Sequence, residues 1–88
     1  MKLSYFGNDK YKLLKYLIDN SYKDNGEIYY QGNQQDLANN VHYSKQKTNF
    51  LMQDLANDGF ILLADKYHSI YKINKLSIQA VKAMEKEI

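Results

Sequence analysis

One stretch constrains this chain more than any other: residues 33–61, NQQDLANNVHYSKQKTNFLMQDLANDGFI. Its apolar positions recur three and four apart, as one buried helical face requires. Leu37, Ala38 and Val41 form the first series, and Thr48, Leu51, Met52 and Leu55 the second. The spacing predicts helices over 33–40 and 45–57 joined by a tight turn, a helix-turn-helix. Asn33 followed by Asp36 is a capping-box variant. The Asn33 side chain can accept a free amide, and Asp36 places negative charge near the positive end of the helix. Ser44 suits the N-cap of the second helix. Gly59 suits the position just past its end, where positive φ is cheap only for glycine.

At 88 residues the chain has the size of one domain, 1–88, with little room for a deep pocket. No run approaches the roughly 18 apolar residues of a membrane span. Lys2 is followed by mixed polar and aromatic residues rather than a secretory leader, so a cytoplasmic location and no membrane partner are expected. With no cysteine, disulfides and thiolate metal sites are excluded. The net charge of +2 is small, and every basic residue is lysine. Without arginine, the usual bidentate reader of guanine is missing. The bias equally fits an A/T-rich coding sequence. Nine tyrosines suit an interface, because the ring buries area while the hydroxyl stays paired.

Residues 1–7 read as a short N-terminal arm. A helix over 10–20 follows, with Leu13, Leu14, Leu17 and Ile18 on its apolar face. Asn25-Gly26 signals a turn. Residues 27–30 are β-prone, with Ile28 able to join a sheet as a third strand. Residues 60–64 and 67–73 read as a hairpin over 60–73. Asn74 or Ser77 caps a last helix over 77–88. The class expected is α+β.

The residues QQDLANNVHYSKQKTNFLMQDLANDGFI, followed by YKINKLSIQAVKAM, carry a resemblance to a family. The pattern resembles the winged helix-turn-helix proteins, most closely small bacterial or phage regulators of the MarR and PadR type. Leu37-Ala38, Tyr43-Ser44, Leu55 with Gly59-Phe60-Ile61, and Tyr71-Lys72-Ile73-Asn74 match their pattern. The resemblance implies a winged helix with an additional C-terminal helix. It implies a dimeric repressor, of bacterial, phage or plasmid type, that binds duplex DNA and regulates transcription. The helix over 45–57 would enter the major groove, presenting Lys45, Gln46, Lys47, Asn49, Phe50 and Gln53. The wing over 62–70 would lie on the backbone through Lys66, Tyr67 and His68.

Residue chemistry keeps other readings open. Lys45 and Lys47 suit phosphates, and stand poorly at the positive end of a helix dipole. Gln46 and Asn49 have the donor–acceptor pairing that adenine matches. Ser44 is a cap that could also offer its hydroxyl to a phosphate. Phe50 falls off the apolar stripe, where a polar or basic residue is usual in the family. It fits a base contact, a protein seat, or extended core against Tyr43 or another subunit. Tyr5, Tyr11 and Tyr16, with Ile78, Val81, Met84 and Ile88, are the expected homodimer surface or else complete a monomer core.

Two alternatives to duplex binding stand beside the main reading. One is a single-strand-binding or replication/partition accessory module that stacks bases on Phe50, Tyr43 and Tyr67. The other is a protein-interaction module, such as an inhibitor, which low net charge favours. No enzyme chemistry, cofactor or metal is expected: there is no cysteine nucleophile or glycine-rich phosphate loop, and His42 and His68 are too few for a zinc site.

Overall fold

A computed structural model describes residues 8–87. The order is α1 (Asn8–Asp19), β1 (Tyr22–Asp24), β2 (Glu27–Gln31), α2 (Gln34–Val41), α3 (Lys45–Asn57), β3 (Ile61–Asp65), β4 (Ile70–Ile73) and α4 (Lys75–Glu87). The four strands form one antiparallel sheet in the order β1-β2-β4-β3.

The expected winged helix-turn-helix, with its two-stranded wing, is therefore corrected. The structure is α+β, with four helices and an open four-stranded sheet among the described residues. Asn25 and Gly26 take φ of 52° and 80°, the paired positive angles of a two-residue hairpin turn. That turn folds Tyr22–Asp24 back onto β2, a strand the sequence pattern did not show. Strand β2 also pairs with β4, so the expected hairpin is the outer part of a wider sheet. Strand β4 begins at Ile70 rather than Tyr67, because 66–69 are spent on a turn in which Ser69 takes φ 54°. The last helix begins at Lys75, with the Asn74 side chain accepting the Leu76 amide at 3.0 Å. The arm over 1–7 lies outside the described residues.

Sheet alternation sets the two faces. Ile28, Tyr30, Ile61 and Ile73 point into the core. On the other face, Tyr22, Tyr29, Lys72 and Leu62 form one cross-strand row. Leu13, Leu14 and Leu17 from α1, Leu37 and Val41 from α2, Leu51, Met52 and Leu55 from α3, and Ala80, Val81 and Met84 from α4 complete the core.

The helix pair is held by the caps its residue types predict. Asn33 Oδ1 accepts from the Asp36 amide at 2.8 Å, and Ser44 Oγ accepts from the Lys47 amide at 3.0 Å. Thr48 is fully buried and donates its hydroxyl to the Ser44 carbonyl at 2.9 Å. That bond lets a polar residue sit on the buried stripe. Gly59 takes φ 84°, and the Phe60 amide donates back to the Leu55 carbonyl at 2.9 Å.

Candidate interaction face on helix α3

Leu51 and Leu55 root α3 in the core, so its opposite side must face outward. Lys45, Gln46, Asn49, Phe50 and Gln53 are exposed there. Phe50 is 62% exposed and stands outside the core cluster, which corrects its reading as core against Tyr43. The Ser44 hydroxyl is engaged as a cap.

Lys47 is not a free cation. Its ammonium is paired with the carboxylate of Asp9 in the first turn of α1. It also stands 4.4 Å from the centroid of the Tyr43 ring, with Lys12 at 5.4 Å. The Tyr43 hydroxyl donates to Asp9 at 3.1 Å. The hydrogen bond from Lys47, then that from Tyr43, holds the Asp9 carboxyl below its ordinary range. Burial, reinforced by Asp9, pushes the Tyr43 phenol up to about 12. At the far end of α3, Lys10 donates to Asp58, just past the helix, at 2.7 Å and lies 3.8 Å from Asp54 in its last turn. Helix α1 thus grips α3 and its C-terminal end at separate points, and most nearby charge is cancelled within the chain.

The turn after β3 carries Lys66, Tyr67 and His68, all exposed, with Tyr67 90% exposed. His68 Nδ1 lies 2.8 Å from Asp65 Oδ2, and the His68 amide donates to Asp65 Oδ1 at 3.1 Å. The His68 hydrogen bonds hold the Asp65 carboxyl low. No hydrogen bond or ion pair joins this turn to α3 among the described residues.

The expected dimer surface is dispersed. Val81 and Met84 are 5% and 0% exposed, consumed by the chain's own core. Tyr11, Tyr16 and Ile78 are partly buried against that core. Tyr5 and Ile88 lie outside the described residues. The sequence pattern does not show Asp9 as the partner of Lys47, because the two lie on separate helices 38 positions apart. The Lys47 mismatch with the helix dipole was the available signal.

No helix is long and apolar enough to cross a membrane among the described residues. No group of three or more His, Cys, Asp or Glu could hold a metal there.

No family model matches the chain, and no curated protein matches it. Solved structures do. The reduced Fe(II) CO-sensing protein from R. rubrum has a TM-score of 0.74 at 21% identity, over 91% of this chain and 37% of that one. A CRP/FNR-family transcriptional regulator from Thermus thermophilus has a TM-score of 0.71 at 14% identity, over 94% of this chain and 43% of that one. A CRP-family regulator from the same organism has 0.68 at 18%, over 88% and 40%. The chain spans about two fifths of the length of the structures it matches.

These likenesses correct the MarR and PadR resemblance, because the regulators matched are of CRP/FNR type. They also correct the main functional expectation. At such identity the likeness shows the fold and carries no DNA contact to this chain, and one matched protein is a CO sensor. A duplex-bound homodimeric repressor finds no support in a face whose Lys47 is neutralised and a C-terminal stripe that is internal core. Two of the structures matched are of transcriptional regulators, and among the described residues there is no cysteine and no side-chain cluster that could hold a metal. The fold is shared with part of a CO-sensing protein and with part of two CRP/FNR-type regulators.

Proposed function

We propose that the chain is a protein-interaction module, acting as one domain in the cytoplasm, whose α3 face seats on a partner protein with Phe50 as the anchor. The observation that carries this is the 62% exposure of Phe50 on a helix locked to the core. Around it stand Gln46 and Gln53, one helical turn away on either side, with Asn49 next to it in the chain and Lys45 beyond. An aromatic anchor inside a polar rim is the composition of a protein-binding patch. Fixing it on a rigid helix lowers the ordering cost of binding. The electrostatics support the same reading: net charge is only +2, arginine is absent, and Asp9 holds Lys47.

Site-directed photo-crosslinking tests this. The chain is expressed in its native cell with a benzophenone amino acid replacing Phe50, and with the same group at the exposed Gln35 as control. A discrete protein adduct at position 50, absent at 35, is expected. Phe50→Asp should abolish co-purification of that partner with an unchanged circular dichroism spectrum. Absence of an adduct would overturn the proposal. So would Phe50-dependent binding of duplex or single-stranded DNA at about 0.15 M salt.

A further inference from the structure

We infer that the β3 edge and the concavity beside it form a second docking site, for an extended segment of another protein with apolar residues and an acidic end. The site does not depend on the α3 face.

Strand β3 is the last in the sheet order, so its outer backbone groups have no strand partner among the described residues. Edges are usually blunted by charge, proline or brevity. Strand β1, at the other edge, has three residues, two of them the charged Lys23 and Asp24. Strand β3 reads ILLAD, with no charge before Asp65. Leu62 and Leu63 stand on opposite faces and are 63% and 45% exposed. A strand laid against β3 would gain main-chain hydrogen bonds and apolar contact on both faces.

At the start of β3 this edge opens into a concavity of about 440 Å³. Ala56, Ile61 and Leu62 give it an apolar side, and Lys72 and Lys75 a basic one. The one carboxylate among its lining residues, Glu27, lies 3.6 Å from Lys72. Lys75 has no ion-pair partner among the described residues and opens α4, whose dipole is positive at that end. The unbalanced charge is therefore positive, and it selects an acidic end for the segment that pairs with β3.

The probes are two blocked pentapeptides, Val-Leu-Val-Glu-Asp and its reverse, with lysine-for-acid counterparts. They are titrated into the ¹⁵N-labelled chain to about 5 mM, a range that detects weak binding. One acidic peptide should shift the amides of Gly59, 61–64, Lys72 and Lys75 and leave Phe50 unmoved. Lys75→Glu, an exposed change that favours its helix terminus, should weaken binding about fivefold to tenfold, and Leu63→Lys should abolish it. No shift at these amides, equal binding of the lysine peptides, or shifts centred on Phe50 would overturn the inference. Occupation of the edge by a second copy, seen as a dimer that Leu63→Lys dissolves, would overturn it too. Loss of the Phe50 crosslink leaves this result unaffected, so the two readings fail separately.

Discussion

Asp9 and Lys47 form an ion pair that joins the first turn of α1 to the first turn of α3. It places a carboxylate where the α1 dipole favours one, and offsets a cation standing where the α3 dipole disfavours it. Tyr43 shares the carboxylate and offers its ring to both Lys47 and Lys12.

Breaking this pair should show first in the titration of Tyr43. In Asp9→Asn its phenol, pushed up to about 12, should move down toward 10 without reaching it, because burial is the larger cause and persists. Site-resolved NMR of tyrosine carbons reads the shift directly. The variant should also lose part of its response to salt, since an exposed pair is screened.

Stability should fall at both ends of the pH range. The Asp9 and Asp65 carboxyls are lowered, so their contribution is complete above the unfolded value of about 3.8 and is lost as pH falls through their folded values. The phenols of Tyr30 and Tyr43 are raised to about 12. Both are protonated in either state below about 10, and the unfolded chain ionises first above it. Stability is therefore full below 10 and declines between about 10 and 12. Urea midpoints measured against pH should give this plateau with two shoulders.

The footing of α3 rests on Leu55, which is 0% exposed. Leu55→Ala should cost on the order of 2–5 kcal/mol, a large share of what a domain this size possesses. Phe50→Ala should change stability by less than about 0.5 kcal/mol. Chemical denaturation of the two variants separates root from face.

Ser77 is fully buried and donates its hydroxyl to the Phe60 carbonyl at 2.6 Å. That carbonyl also accepts from the Asn74 amide at 2.9 Å. Ser77→Ala should thus cost only about 1 kcal/mol, since no acceptor is orphaned. Ser77→Val should cost about 1–3 kcal/mol, through overpacking. Thermal melts of the pair check the order.

Gly59→Ala should cost about 1–2 kcal/mol, the left-handed backbone penalty alone. An added Cβ there meets nothing within 4 Å at φ 84°. Gly59→Asn should recover part of the loss, because asparagine tolerates this region. Denaturant midpoints should rank Gly above Asn above Ala.

Local chemistry made much of this molecule legible. The three-and-four spacing of Leu37, Val41, Leu51 and Leu55 marks a helix pair, and Asn33, Ser44 and Gly59 mark its ends, because caps and turns act within a few residues. The α+β class follows from the same patterns. The width of the sheet does not: Tyr22–Asp24 is too short to announce itself, and it exists only because Asn25-Gly26 returns it to β2 and β2 finds β4, whose paired residues lie 39 to 45 positions away. Nor could periodicity say what becomes of Val81 and Met84, since an apolar stripe packs equally well inward or against a neighbour. Tertiary packing chose the interior for them, placed Asp9 beside Lys47, and left Phe50 and the β3 edge facing water. Those outcomes are set by which surfaces meet across the fold, and contacts between distant segments leave no pattern in either segment alone.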